Sequence, residues 1–156
     1  MKISSCVTSV FFAVTLILVP AALFAMVVTE VAQDGSLTLE DGKQVSLAGI
    51  QMDAQGVSVL RVLADKQDVR VEVLETVRDP QGRECVYAYL KGKSLKMPFK
   101  TGEEASESEI FLNEFLLRTG AAKVDEEQMI SKKNRFLAAQ DEAKKKGEGV
   151  WSYVAS

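Results

Sequence analysis

Two Asp-Gly dipeptides, Asp34-Gly35 and Asp41-Gly42, stand seven residues apart and are flanked by short runs in which apolar and polar side chains alternate. Before the first, Val27, Thr29 and Val31 alternate with Val28, Glu30 and Ala32; between the two lies Leu37-Thr38-Leu39, and after the second Val45-Ser46-Leu47. Asp-Gly tolerates the positive φ that tight hairpin turns need, so this stretch is expected to fold as a β-meander of three strands. A short helix, Val57 to Ala64, follows, with Val57, Leu60, Val62 and Leu63 expected mostly on one side. Val69 to Leu74 alternates again, Asp79-Pro80-Gln81-Gly82 reads as a turn, and Arg83 to Leu90 is a fifth strand. Five short strands with a helix between the third and fourth is the element order of an OB-fold barrel.

The second half turns helical. Lys91 to Ser108 is polar, without periodicity, and reads as a long surface loop. Glu109 to Leu112 is expected to be extended, Asn113 to cap a short helix over Glu114 to Thr119, and Gly120 to end it. A last helix is expected from about Glu126 to Lys146, with Met129, Phe136, Ala139 and Ala143 near helical spacing and Gly147 as its stop, after which Trp151 folds back as an apolar plug. The fold class is therefore α+β, mainly β: a barrel with a short inserted helix and C-terminal helices. Leu47, Ile50, Leu60, Val71, Tyr87, Leu116 and Phe136 are expected in its core.

Ahead of this domain, residues 7–28 carry no charge, and Lys2 is the only charged side chain before them. A basic start, the apolar run Val10 to Val19, the breaker Pro20 and the small residues through Ala25 fit an export signal cleaved near Ala25, leaving 26–156 as the domain. The alternative is an uncleaved anchor over residues 7–28, since about 20 apolar residues suffice to span a bilayer. Either way the domain is expected outside the cytoplasm, as a periplasmic, secreted or membrane-anchored protein. Removing residues 1–25 takes the net charge from −3 to −4, so any polyanion site needs a local basic patch. Cys85 is then the only cysteine, which rules out an internal disulfide, and the absence of histidine rules out His-based metal sites and triads.

Three segments in order resemble the staphylococcal nuclease (thermonuclease) family. Asp79 to Tyr89 is similar to its D-x-x-G-R-x-L-A-Y-x-Y strand, Asn113 to Val124 to its N-E-x-L-[LV]-R-x-G-x-A-x-V segment, and Gly149-Val150-Trp151-Ser152 to its G-[IL]-W-S ending. The resemblance implies an OB-fold and phosphodiester hydrolysis in which calcium on carboxylates positions the substrate, a glutamate helps activate water and two arginines stabilise charge on phosphorus. The positions it assigns to that chemistry hold other groups here. The carboxylate of the family's D-G-D-T turn falls on Ser36, and its first arginine on Ser46. Aligned without a gap, the second metal carboxylate falls on Gln51 and the glutamate on Ala54; shifted by two, Asp53-Ala54 matches the family's D-A and the glutamate becomes Gly56. The two nucleotide-contacting tyrosines fall on Glu126 and Gln128. Arg83 alone keeps its identity, either as an oxyanion clamp or as a structural partner of Asp79 or Glu84.

The candidate ligand-binding residues are thus Arg83, Ser36, Ser46 and Asp53, with Asp34 and Asp53 the weak candidates for a metal. No cofactor is expected, calcium entering only if a working site has been rebuilt. The leading reading is a catalytically degenerate binding or scaffolding module, holding a protein or peptide, or a nucleic-acid strand, in the old groove. The others are a calcium-dependent nuclease rebuilt on Asp34, Asp53 and Arg83, and a membrane-attached structural domain. Lys91, Lys93, Lys96 and Lys100 read as solvated loop surface or a phosphate-tracking patch, and Cys85 as a small buried apolar side chain.

Overall fold

A computed structural model describes residues 24–91 and 109–153. In chain order its elements are β1 (Phe24–Val31), β2 (Leu37–Leu39), β3 (Gln44–Leu47), β4 (Ile50–Gln51), α1 (Ala54–Ala64), β5 (Asp68–Arg78) and β6 (Glu84–Leu90). After the residues not described come β7 (Ile110–Phe111), α2 (Leu112–Arg118), β8 (Lys123–Val124), α3 (Lys133–Lys146) and a 3-10 turn at Gly149–Trp151.

The Asp-Gly turns act as expected: Gly35 and Gly42 both hold φ at +81°, while the Asp34 and Asp41 carboxylates accept from the backbone N–H two residues on. They set β1, β2 and β3 antiparallel. β1 pairs antiparallel with β5 and β5 with β6, and a parallel pairing of β3 with β6, Val45 opposite Glu84 through Leu47 opposite Val86, closes a five-stranded barrel. Closure satisfies both edges of the meander, and the inward side chains fill the interior. All seven core residues expected from the sequence are buried, with Leu60, Tyr87, Leu116 and Phe136 fully so. At about 1.5–3 kcal/mol for each large side chain removed from water, this interior is the main stabilising term. Cys85 is buried among them, and burial pushes its thiol pKa up, as befits an apolar packing residue.

Several local expectations are corrected. α1 starts at Ala54, not Val57, because the Asp53 side chain accepts from Gly56 N at 2.8 Å and caps the first turn, and Val62, expected with Val57, Leu60 and Leu63 on the apolar side, is 84% exposed because a helix turns it away from the face those three bury. Asn113 does not cap α2. It lies inside the helix, fully buried, where Oδ1 accepts from Ala88 N at 3.0 Å and Nδ2 donates to the carbonyls of Ala48 at 3.0 Å and Val86 at 3.2 Å. It therefore ties α2 to the end of β3 and the middle of β6.

The last helix begins at Lys133 rather than Glu126. Residues 125–132 instead form a strap across one end of the barrel: Asp125 accepts from Glu127 N, the Gln128 side chain accepts from Gly49 N at 2.8 Å, and Met129 is 87% exposed. Those side-chain bonds to backbone compete with helical pairing there. Trp151 is half-buried, with the ammonium groups of Lys144 and Lys123 at 4.7 and 5.3 Å from its ring centroid, so it is an edge packer rather than a plug. The short β4–β8 pair, Ile50 opposite Val124, was not expected. The expected loop over Lys91 to Ser108, with its lysine run, lies outside the described residues from position 92 onward.

Candidate functional site

Four pieces of chain converge at one end of the barrel. The β1–β2 turn supplies Asp34 and Ser36, β3 supplies Ser46, the β5–β6 turn supplies Asp79, Gln81 and Arg83, and the strap supplies Asp125 and Gln128. Between them lies a cleft of about 380 Å³ whose floor includes Leu47, Ile50 and Met52.

Asp79 organises the site. Its side chain is only 6% exposed and takes four hydrogen bonds: Oδ1 from the backbone N–H of Gln81 at 3.0 Å and of Arg83 at 2.8 Å, Oδ2 from Ser46 Oγ at 2.5 Å and Arg83 Nε at 2.6 Å. Burial works against its ionisation, but the donors on Ser46 and Arg83 outweigh it and hold its pKa below the ordinary carboxyl value. On the other side Arg83 Nη1 donates to Asp34 Oδ2 at 2.7 Å, and Nη2 to Gln81 Oε1 at 3.3 Å. Each of the three guanidinium nitrogens thus donates one hydrogen bond within the protein, which leaves one N–H on Nη1 and one on Nη2. Asp34 also accepts from Ser36 Oγ at 2.7 Å and Ser36 N at 3.0 Å; these, with Arg83, bring its pKa down to about 2.

The residues picked out in the sequence are therefore partly assembled. Asp34, Ser36, Arg83 and Ser46 form one connected network through Asp79. Asp53 does not join it: it caps α1 and lines a neighbouring, smaller hollow with Gln51 and Lys123. Of the two structural partners expected for Arg83, Asp79 is present and Glu84 is not, since Glu84 pairs with Lys43 and Arg78. Asp79 as the hub and the inward placement of Asp125 were missed. The i,i+4 spacing of Asp79 and Arg83 across a Pro-Gln-Gly turn was the available signal for the first, and nothing in the sequence marked the second; of the two positions the resemblance assigned to nucleotide contact, Gln128 lines the cleft and Glu126 does not.

The cleft's charged lining is three aspartates against one arginine. Calcium takes about 6–8 oxygens and gains affinity from anionic ligands. Here Asp34 and Asp79 are each bonded to Arg83, Asp53 is turned to its helix, and Ser36 Oγ points at Asp34. Among the described residues no three carboxylate or thiol side chains are grouped closely enough to hold a metal ion.

A family model described as staphylococcal nuclease homologue matches residues 40–153. The chain belongs to that family. Its closed, mixed five-stranded barrel with three helices is the OB-fold of this nuclease-like family. No curated protein matches the sequence. Asp34, Ser46 and Arg83 line one cleft, with the buried Ser36 bonded to Asp34 beside it.

Proposed function

We propose that this protein is an exported, nuclease-like OB domain that has lost phosphodiester chemistry and uses its old groove to bind a protein or peptide. One observation carries the reading: every nitrogen of Arg83 is already bonded, to Asp79, Asp34 and Gln81. An arginine that stabilises charge on phosphorus must present its fork to the oxyanion, and one such donor is commonly worth about 3–4 kcal/mol of transition-state stabilisation. With serines at positions 36 and 46, the cleft lacks both the second arginine and the second carboxylate of the family's turn. Its acidic excess disfavours a polyanionic strand and suits a neutral or cationic peptide segment. The same residues supply a poor calcium shell, so neither metal nor cofactor enters the proposal.

Export is supported by the charge-free run of residues 7–28, and the domain then works in the cell envelope or beyond it. Among the described residues no helix is long and apolar enough to cross a membrane.

The deciding experiment incubates the purified protein with single-stranded DNA and RNA and millimolar calcium. No cleavage is expected. Calcium-dependent cleavage that vanishes in Arg83→Ala would overturn the reading and favour the rebuilt nuclease, because a contaminating enzyme would not follow that substitution.

A further inference from the structure

The carboxylates around the cleft are not equally engaged. Asp79, buried, gives both oxygens to donors of the protein, four in all, and its charge is matched by Arg83. Asp34 is half-exposed, with Oδ1 on the two Ser36 donors and Oδ2 on Arg83 Nη1. Asp125, half-buried on the strap, uses Oδ1 to accept from Glu127 N at 3.1 Å, and among the described residues nothing donates to its Oδ2. With Arg83 set against Asp79, the carboxylates of Asp34 and Asp125, carried by two separate loops, leave the lining with a negative excess.

The floor beneath them is apolar: Leu47 and Ile50 are buried and Met52 is half-buried. An occupant that covers Asp125 must bring a donor to Oδ2, because a carboxylate oxygen taken out of water without one costs its desolvation. An apolar side chain brings none, and an acidic one adds repulsion. The side chain of a basic residue meets both demands, since it lays a methylene stem on apolar surface and keeps its charged head among polar groups. A cleft of about 380 Å³ is within the range of ligand pockets and larger than one such side chain. We propose that the cleft takes the side chain of a lysine or arginine from an extended peptide, with the stem on Leu47, Ile50 and Met52 and the charged head donating to Asp125, in the field of Asp34. This rests on the reading of the groove as a peptide site and adds what that site selects.

The test titrates the purified protein with acetylated alanine pentapeptides whose central residue is lysine, glutamine, leucine or glutamate, followed by the amide NMR shifts of Gln51 and Gln128, both at the cleft. A charge-assisted hydrogen bond is stronger than a neutral one, so the lysine peptide is expected to bind about 10-fold more tightly than the glutamine and leucine peptides, with the glutamate peptide weakest. Asp125→Asn keeps a carbonyl oxygen for the Glu127 N–H and removes the charge; it is expected to abolish the lysine preference without unfolding the strap. Asp125→Lys is expected to reverse it, favouring the glutamate peptide. Equal affinity for the lysine and leucine peptides, or a lysine preference that survives Asp125→Asn, would overturn the inference while leaving the groove a peptide site of other selectivity. No shift at Gln51 and Gln128 with any of the four peptides would overturn it together with the groove reading.

Discussion

Replacing Ser36 by aspartate puts a carboxylate at the position where the resemblance implies one, and the structure gives the consequence a sign. Ser36 is 2% exposed, and its hydroxyl donates to Asp34 at 2.7 Å. In Ser36→Asp that donor becomes a second anion facing the first. A hydrogen bond to a charged group contributes about 1.5–3 kcal/mol. Two unit charges about 4 Å apart at an effective dielectric of about 20 repel by about 4 kcal/mol. The Asp34 side chain is 49% exposed, so solvent screens much of that repulsion, and the nearby Arg83 offsets more. A net loss of about 2–4 kcal/mol at neutral pH follows, measurable as a lower urea midpoint in EDTA. Calcium should return part of the loss, because two convergent carboxylates make a nucleus that one carboxylate and a hydroxyl do not. A Ser36→Asp protein as stable as the native one in EDTA would refute the reasoning, since the hydroxyl would then not be holding Asp34.

Asp34, Asp79, Glu84 and Glu109 all have pKa values lowered by their partners. The stability they contribute is fully present above the ordinary carboxyl range and is lost as pH falls through the folded values, about 2 for Asp34. A urea midpoint unchanged between pH 7 and pH 2.5 would contradict those pairings. Asn113→Ala should cost about 2–5 kcal/mol by chemical denaturation, because it strands the buried Ala88 N–H and Ala48 carbonyl, each at about 1–3 kcal/mol; a loss below about 1 kcal/mol would mean that these groups find other partners. Gly56→Ala, a change that ordinarily favours a helix, should destabilise by about 1–3 kcal/mol, since the added Cβ would sit 2.0 Å from the Ala121 carbonyl oxygen; a rise in thermal midpoint would show that the approach of α1 to the segment after α2 relaxes easily. Met129→Ser should change stability by less than about 0.5 kcal/mol, as the exposed strap requires and a helical core position would not.

The barrel was legible because its determinants are local. Two Asp-Gly turns fix the meander, alternation fixes which face of each strand is buried, and the apolar side of α1 places it against the barrel. The elements that were misread have determinants at long range. Nothing near Asn113 announces that its amide bonds backbone groups 25 and 65 positions away; a cap and a buried bridge look alike in one dimension. The strap at 125–132 fails to be helical because of Gly49, whose N–H takes Gln128, and helical propensity over Glu126–Lys132 carries no information about that partner. Asp53 was separated from Asp34 for a related reason: the residue that matches a metal ligand in a shifted alignment is, in space, the one that starts α1.

Arg83 makes the general difficulty concrete. Its retention suggested catalysis because the same residue type at the same motif position serves phosphoryl chemistry in the family. Yet the Asp79–Arg83 unit has a reason to persist that involves no substrate. Asp79 Oδ1 closes the β5–β6 turn through the N–H groups of Gln81 and Arg83, while Oδ2 holds both the Arg83 Nε and the Ser46 hydroxyl of β3. β3 and β6 are the parallel pair that closes the barrel, so these bonds brace the seam at the point where the closing strand enters. Removing one partner of such a low-exposure charge pair is commonly destabilising by about 3–5 kcal/mol, enough to retain both residues whether or not the site catalyses anything. Ser46 fits the same account, since it satisfies the Asp79 carboxylate by donating a hydrogen bond from β3. A surviving arginine is thus compatible with a lost activity, and the informative feature is whether its guanidinium is free or already taken.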